Sequence, residues 1–478
     1  MHVGQLWQLQ DETALRRIDD AARRLLTRTG CRIESEELLR RLEGAGCRID
    51  QTGMRCYFTE GLIDKVIEHF RGTTDKPVEL PDHWNPRRSL GLSGSYPHLL
   101  DWPSGERRLA TRQDIFNIAR MSHVLDEFTG TGRVLTCAEV DPRIEPLWTT
   151  VALAETTNKP IAGGEIFHAN YIEPLIRMGE VLSGIPGANH LVAACDFFIA
   201  PLVFDRKQAE CFLEKRRFGL ANCPGTMPIS GATAPVTIAG TVTIAVAELI
   251  AGLILGYVVN PDLPAACAVA SGSLDMRTTA ILFGSPEALL QDITTVQVCQ
   301  RLYGIRAFAV TGYVDCKHPG LEAVFQKMFP LIAAPYHRGH RVCRDGLLSG
   351  GQDYSPVQHL LDTEIDEALE RFEGRFEVSE ETIALELIEQ TIKDGPVNFV
   401  DKEHTLKHYK TEQWYPRWLK RDFWQGQAAE CSSEHEMLMR VDRYIKDAIK
   451  SYEPPDIDPS KIRELKTILS SFEEHLGK

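Results

Sequence analysis

Strand-like apolar runs alternate with helical patterns along most of this chain, at intervals of about thirty to forty residues. This rhythm is typical of strand–helix–strand units, in which each helix covers the parallel sheet that it connects. Eight runs follow one another: Tyr96–Asp101, Thr131–Cys137, Pro160–Glu165, His190–Ala200, Cys223–Ile229, Ala265–Ser271, Ile305–Thr311 and His340–Asp345. Eight consecutive units favour an α/β fold closed into a (β/α)8 barrel of the TIM type, although a doubly wound open sheet would show the same alternation.

Segments of a different character flank the predicted barrel, which we assign to residues 95–374. We expect residues 1–94 to form an N-terminal cap of helical or mixed structure, because the apolar residues of Asp11–Arg28 recur at helical spacing. Residues 375–478 form a helical C-terminal extension with an aromatic cluster around Trp418. Large aromatic side chains need a surface to bury against, so we expect this extension to wrap back onto the barrel.

The charge balance and the cysteines exclude several classes of protein. The 478 residues include 53 Lys and Arg against 67 Asp and Glu, which gives a net charge of −14. Because there is no basic run either, we expect no binding to nucleic acid. The twelve cysteines include no Cys-x-x-Cys pair, and the N-terminus lacks a basic-then-apolar signal pattern. We therefore expect a cytoplasmic protein with reduced thiols.

One stretch is long and apolar enough to cross a membrane. Gly240–Val259 contains a single charged residue, Glu248. Pro261 and Asp262 follow directly, and the many small residues of the stretch suit a helix packed flat on a sheet. We predict a buried helix and no contact with a membrane.

Candidate site residues are sought where the strands end, because barrel enzymes carry their active sites on the loops at the carboxyl ends of the strands. Aromatic, acidic and basic side chains occur there: Tyr96, His98, Glu165, His168, Phe198, Tyr313, Asp315, His340 and Arg344. Ring faces and carboxylates both attract a quaternary ammonium ion, so the set suits a cationic, methyl-rich ligand. A single ring at a barrel rim is more often a packing residue, and Asp315 with Lys317 fits a solvated ion pair equally well.

A metal site is the main alternative in the sequence. His337, His340 and Cys343 have a His-x-x-His-x-x-Cys spacing that suits zinc if they share a helix. If His340–Asp345 is a strand, as its composition predicts, His340 and Cys343 point to opposite faces. We therefore expect no bound metal, and we keep a metal-dependent barrel hydrolase as an alternative function.

Several longer segments form a more specific set than these single residues. They are Pro224–Thr241, Leu274–Thr278, Gly284–Glu287, Tyr354–Gln358, Asp362, Glu364–Ile365, His404–Leu406 and Trp414–Pro416. In this order, over roughly residues 10 to 425, they resemble the trimethylamine methyltransferase family.

The resemblance implies a (β/α)8 barrel that transfers a methyl group from a methylamine to the cobalt of a separate corrinoid protein. The archaeal branch that acts on trimethylamine carries pyrrolysine, whereas this chain contains only the standard twenty residues. It is therefore similar to the pyrrolysine-free branch, which demethylates quaternary amines such as glycine betaine. The implied partners are a small quaternary amine and a cognate corrinoid protein that supplies the cobalamin-type cofactor, with no cofactor held tightly by this chain itself.

The resemblance also suggests roles for the candidate residues. Tyr96, Phe198 and Tyr313 would supply ring faces, and Glu165 or Asp315 would balance the ligand's charge. His98 is a further substrate-binding candidate, and a betaine's carboxylate would contact Arg344, His168 or His340. A non-catalytic protein that binds quaternary ammonium compounds is a second alternative, and the sequence leaves open whether the chain forms a homo-oligomer.

Overall fold

The structure is a computed structural model of the chain. It describes residues 9–72, 96–310, 312–333, 346–374, 376–393, 398–421, 423 and 433–476. These residues form an α/β fold in which helices and short strands alternate.

The N-terminal segment is a small sheet flanked by helices. It contains α1 (Glu12–Arg28), β1 (Cys31–Ile33), α2 (Glu36–Gly44), β2 (Arg48–Asp50), β3 (Arg55–Tyr57) and α3 (Glu60–Phe70). Each helix begins where a side-chain oxygen accepts a hydrogen bond from a backbone N–H of the first turn: Asp11, Ser35 and Thr59. β1 pairs with β3 and also, in parallel, with β9 (Val203–Phe204). The segment is therefore joined to the rest of the fold through a shared sheet.

Parallel strands follow one another in chain order. They are β4 (His98–Leu100), β6 (Thr131–Gly132), β7 (Ile161–Ala162), β8 (Cys195–Phe197), β10 (Cys223–Thr226), β12 (Ala266–Val269) and β15 (Arg306–Ala309). β6 pairs with β7, and β8, β10, β12 and β15 pair in succession. The bridges Tyr96–Leu135 and Gly164–Val192 link the remaining neighbours. Seven of the eight predicted runs thus contain a parallel strand, and the eighth, His340–Asp345, lies outside the described residues.

β17 (Asp353–Tyr354) takes the place next to β4, with which it pairs in parallel. The segment after β15 is tied to the turn before β17, since Val314 O accepts from Gly350 N at 2.7 Å and Cys316 O accepts from Ser349 N at 2.8 Å. Among the strand pairings of the described residues, none joins β15 to β17 and closes the sheet into a barrel.

Helices, and in some units additional short strands, lie between the parallel strands. The additional strands are β5 (Arg107–Leu109), β11 (Ile229–Ser230), β13 (Gly272–Leu274), β14 (Ile281–Leu282) and β16 (Leu347–Leu348). The covering helices are α4 (Arg112–Val124), α5 (Glu145–Ala154), α6 (Ile172–Ser183), α7 (Arg206–Arg217), α8 (Ile238–Val259), α9 (Pro286–Gln297), α10 (Leu321–Ala333) and α11 (Pro356–Glu373). The 3₁₀ turn Ala169–Tyr171 precedes α6, and the π-helical turn Val298–Tyr303 continues α9.

The apolar helix α8 lies at the centre of the second hydrophobic core. It packs on β10 and is covered by α1, α2, α3 and α9. It is the one helix in the described part of the chain that is long and apolar enough to span a membrane, and 72% of its most apolar window is buried inside the protein. The prediction of a buried helix at Gly240–Val259 is confirmed.

The C-terminal segment contacts the covering helices. It contains α12 (Glu380–Ile383), α13 (Leu385–Lys393), α14 (Glu403–Glu412), α15 (Ser433–Lys450) and α16 (Pro459–Leu476). α15 packs on α4 and α11, and α16 packs on α5 and α6. The Trp418 backbone N–H donates to both Glu364 carboxylate oxygens at 3.1 Å, and the Trp418 ring is buried against Tyr444. Trp418 is thus the member of the predicted aromatic cluster that docks, whereas Tyr415 and Phe423 are exposed.

Glu248 gives a pH-dependent test of the α8 packing. Its carboxyl group accepts hydrogen bonds from Leu202 N at 2.8 Å and Thr226 Oγ1 at 2.6 Å, and burial raises its pKa to about 7. The folded state therefore retains a proton that the unfolded chain releases, so this group removes stability as pH rises from about 4.5 to above 7. In Glu248→Gln the amide oxygen can still accept from Leu202 N and the amide NH2 can donate to Thr226 Oγ1, and the glutamine side chain does not titrate.

The unfolding free energy of Glu248→Gln minus that of the wild type should increase by about 2 kcal/mol from pH 5 to pH 8.5, because only the wild type loses stability over this range. Urea unfolding at both pH values measures the difference, and an equal difference at the two values contradicts the assignment. Glu248→Ala is the comparison variant. It leaves the Leu202 and Thr226 donors unsatisfied and loses about 3 kcal/mol at pH 5 as well.

Candidate active site

A cleft opens at the carboxyl ends of β12 and β15. We call it the β12–β15 cleft; its larger and polar lining residues include Ser271, Phe283, Asp292, Tyr313 and Phe329, and Leu289, Val310 and two prolines complete the wall. Its cavity volume is about 30 Å³, and the space reaches about 480 Å³ only when the open solvent at its mouth is included. The carboxyl ends of parallel strands are where α/β folds bind their ligands, so this cleft is the candidate active site.

Aromatic rings form one wall of the cleft. The centroids of Phe283 and Tyr313 are 5.2 Å apart, with the ring planes tilted by 36°. Tyr313 lies directly on the backbone at Gly351, where an added Cβ would approach its Cε1 atom to 2.5 Å. Gly351 also has a φ of +84°, which glycine adopts readily. The absence of a side chain at position 351 therefore leaves room for the Tyr313 ring in its place beside Phe283.

Asp315 holds this wall in place. Its carboxylate accepts hydrogen bonds from Phe283 N at 2.8 Å and from Gly284 N at 2.9 Å. The Asp315 backbone N–H donates to Gln326 Oε1 at 2.7 Å, which ties the loop to α10. Burial raises the pKa of the Asp315 carboxyl, while the two backbone hydrogen bonds and the charge of Lys317 lower it. Asp315 thus lies beside the cleft, and both its oxygens are bonded to the loop that carries Phe283.

A buried acid that the sequence analysis did not single out lies in the same cleft. Asp292, on α9, is only 7% exposed, and its Oδ1 accepts a hydrogen bond from Ser271 N at 2.7 Å. Burial raises the pKa of this carboxyl to about 7, and hydrogen bonds from Ser271 lower it. The residue was missed because it belongs to a helix, whereas the search covered strand ends. The available signal was an acid among the apolar positions Ala288, Ile293 and Val296 of that helix.

Glu165 lies elsewhere, in a buried group of charges. Burial raises the pKa of its carboxyl, and the charges of Lys215 and Arg133 lower it. The Arg133 guanidinium donates to the Glu165 backbone oxygen at 2.6 Å. Lys215 itself is bonded to Asp196 at 2.9 Å. Glu165 is therefore close to two cations and is not part of the lining of the β12–β15 cleft.

Phe198 faces the helices. Residues 195 and 197 of β8 pack with the inward-facing residues of β10, β12 and β15, so their neighbours in sequence point outward. Phe198 is accordingly buried in the second core, where its ring centroid is 4.9 Å from that of Phe204. On this strand the inward-facing ring is that of Phe197.

The other three described candidates are also separate from the cleft. Tyr96 is buried in the first core. His98 Nδ1 is 3.3 Å from Gln352 O and 3.5 Å from Asp353 Oδ1, which also binds Arg107. His168 is exposed and packs edge-on against Tyr171. The structure thus brings together Tyr313 and Asp315 of the predicted set, and adds Phe283 and Asp292.

His340 and Arg344, together with His337 and Cys343 of the zinc-like spacing, lie outside the described residues. Within the ranges that are described, no group of three or more His, Cys, Asp or Glu side chains is arranged to hold a metal ion.

Comparison with known proteins assigns the chain to a family. Residues 3–476 match the family model described as trimethylamine methyltransferase (MTTB). A trimethylamine methyltransferase MttB of Desulfitobacterium hafniense (strain DSM 10664 / DCB-2) is 23% identical over 402 residues, covering 81% of this chain and 79% of that protein. A glycine betaine methyltransferase of Desulfitobacterium hafniense (strain Y51) is 22% identical over 498 residues, covering 99% of this chain and all of that protein.

Among solved structures, the Methanosarcina barkeri monomethylamine methyltransferase (MtmB) aligns with a TM-score of 0.42 at 14% identity, covering 94% of this chain and 95% of that one. Because the family model spans nearly the whole sequence, including every element that surrounds the β12–β15 cleft, this chain belongs to the trimethylamine methyltransferase (MTTB) family.

Proposed function

We propose that this methyltransferase-family protein moves a methyl group from a betaine-type quaternary amine to the cobalt(I) of a cognate corrinoid protein. The proposal includes closure of the parallel strands into a (β/α)8 barrel, and a cytoplasmic location as expected from the scattered cysteines. The observation that carries it is the β12–β15 cleft, in which the Phe283 and Tyr313 rings and the Asp292 carboxyl converge. The relative named glycine betaine methyltransferase, matched along its entire length, supports the choice of substrate class.

The residues of the cleft suit a permanently charged, methyl-rich headgroup. Aromatic faces attract a cation without requiring a hydrogen bond, which a quaternary nitrogen cannot donate. The amine that leaves is neutral, so no acid is needed to protonate it. What remains for the protein is to remove water from the headgroup and to orient one N–CH3 bond toward the mouth of the cleft. Phe283 and Tyr313 perform both tasks, and Asp315 fixes Phe283 through its backbone.

The rim of the fold suits a second protein. Apolar side chains that are more than half exposed occur on loops after β7, β8, β11 and β13: Phe167, Ile199, Val236 and Met276. Such an apolar rim at the carboxyl ends of the strands fits a partner that presents a flat macrocycle. A corrinoid held by that partner supplies the cobalt nucleophile, and this chain has no need to bind the cofactor tightly itself.

Methyl transfer to cobalt tests the proposal directly. The purified chain is incubated anaerobically with reduced cobalamin, or with its corrinoid protein, and with glycine betaine, proline betaine or carnitine; trimethylamine serves as the tertiary-amine control. We expect methylcobalamin with at least one betaine and none with trimethylamine. Betaine binding without methyl transfer to the corrinoid protein indicates the non-catalytic binder instead, and absence of both results rejects the proposal.

Asp315→Asn should weaken the aromatic wall. An asparagine side chain has one oxygen and cannot accept both the Phe283 and the Gly284 N–H, so the Phe283 loop loosens. We expect kcat/KM to fall by about 10- to 100-fold, mainly through KM, with an unchanged pH profile, because Asp315 acts through Phe283. Asp50→Asn is the control for the loss of charge alone, since a single oxygen of Asp50, Oδ1, accepts from both Thr52 N and Gly53 N, and the amide keeps that oxygen in a turn that does not line the cleft. Equal losses in the two variants would contradict a positioning role.

Gly351→Ala should displace Tyr313. The added methyl group would lie 2.5 Å from Tyr313 Cε1, so the ring must move away from its place beside Phe283. Gly350→Ala is the control, because Gly350 also has a positive φ and its added methyl group would come no closer than 3.6 Å to Phe283. Both variants carry backbone strain of about 1–2 kcal/mol. We expect only Gly351→Ala to lose betaine affinity, by about tenfold in a titration; equal affinities would show that Tyr313 does not hold the ligand.

A further inference from the structure

Asp292 is placed where its carboxylate could balance the positive charge of a bound ligand. The inference rests on the proposed function, from which it takes a quaternary amine as the ligand. We propose that Asp292 is the anionic partner of a quaternary ammonium ion bound in the β12–β15 cleft, and that it releases a proton to solvent when the cation binds. The cation replaces the proton as the charge that neutralises the carboxylate. No covalent bond forms or breaks other than the O–H bond of this acid.

The geometry directs the carboxyl group into the cleft. α9 packs on β12 and β15, and Asp292 reaches the carboxyl end of β12, where its Oδ1 caps Ser271 N at 2.7 Å. Tyr313 and Phe283 line the same space. Ser271 is the only hydrogen-bonding residue of this carboxyl among the residues that the structure describes. A ligand between the rings and α9 therefore meets one acid that is buried and not committed to a cation of the protein.

The elements around α9 bring no cation to Asp292 in the described ranges. Burial and Ser271 are the causes that act on its pKa, and no charged side chain is among them. On α8 the acid Glu248 is bonded to Thr226 and Leu202. Other ionisable groups of the neighbouring elements are bonded elsewhere or carry no positive charge: Cys267 on β12, Cys299 and Arg301 in the π-helical turn, Asp275 and Arg277 after β13, Asp315 and Tyr313 after β15, and Lys327 on α10. Arg306 is the first residue of β15 and thus lies at the strand end opposite the cleft.

Because no cation among the described residues neutralises Asp292, its burial determines the protonation of this carboxyl group in the ligand-free protein. Burial raises the pKa of the Asp292 carboxyl to about 7, so near neutral pH the empty cleft holds this group partly protonated. A quaternary ammonium ion beside it favours the carboxylate and lowers the pKa again. The ligand has no proton of its own to exchange at nitrogen. Any proton released on binding near neutral pH must therefore come from the protein.

This linkage predicts the sign of the pH dependence. Below pH 7 the cation must first displace the Asp292 proton, so the affinity increases with pH, and above pH 7 it is constant. We expect Kd for glycine betaine to be about tenfold higher at pH 6 than at pH 8, with close to one proton released at pH 6. The uncharged isostere 3,3-dimethylbutanoate, in which carbon replaces nitrogen, should bind more weakly and release no proton.

Calorimetry measures both quantities. Glycine betaine, proline betaine, carnitine and tetramethylammonium are titrated into the full chain between pH 5.5 and pH 8.5, in two buffers with different ionisation enthalpies. Asp292→Asn keeps an oxygen for Ser271 N, so it should fold, and it should bind these cations at least tenfold more weakly with no proton release. Asp50→Asn should behave as the wild type. Proton release that persists in Asp292→Asn, a Kd independent of pH in the wild type, or no binding of any of these cations overturns the inference.

The same preparations separate this inference from the proposed function. If methyl transfer to the corrinoid protein occurs but the Kd of the betaine does not depend on pH, the proposed function stands and Asp292 is not the counter-charge. If binding releases a proton in the wild type but not in Asp292→Asn, and no methyl transfer to the corrinoid protein occurs, the cation site stands and the proposed methyltransferase function is rejected.

Discussion

Burial of the apolar helix α8 is the constraint on which the candidate site depends. α8 packs on β10 and is enclosed by α1, α2, α3 and α9, so the N-terminal segment and the strands share one core. Close packing requires glycine at position 252, where an added Cβ would lie 2.3 Å from the Cβ of Pro224 on β10. α9 in turn is held between α8 and the strands β12 and β15. The acid of the cleft is therefore positioned by a helix whose own position is fixed by α8.

Three acids in this region, Glu248 and Asp292 buried and Asp315 half-buried, illustrate how hydrogen bonding assigns different roles to the same functional group. Glu248 uses its two oxygens to join α8 to Thr226 and to the loop at Leu202. Asp315 uses both oxygens on the backbone of the Phe283 loop. Asp292 has Ser271 as its one hydrogen-bonding residue in the described structure and faces the cleft. Of the three, Asp292 has the greatest capacity left to interact with a ligand.

The combination of rings and a partly protonated acid is suited to a substrate whose charge disappears during the reaction. As a methyl group leaves, the quaternary nitrogen becomes neutral, so a site that binds the cation too strongly would stabilise the substrate more than the transition state. Ring faces attract the cation moderately. An acid that recovers its proton when the charge is lost avoids leaving a buried, unpaired carboxylate behind. The cleft therefore combines attraction for the substrate with release of the product.

The sequence by itself determined the alternation of strands and helices, the burial of the membrane-length helix and the family, because each is encoded in local periodicity or in contiguous motifs. It also placed Tyr313 and Asp315 after the seventh predicted strand, because their position follows from the same alternation. Tertiary structure decided the rest. Phe198 points to the helices and Phe197 inward, since a shift of one residue reverses the face of a strand. Asp292 joins the cleft because α9 packs across two strands, and Asp315 is committed to Phe283 by a contact 32 residues away in sequence, which no local pattern contains.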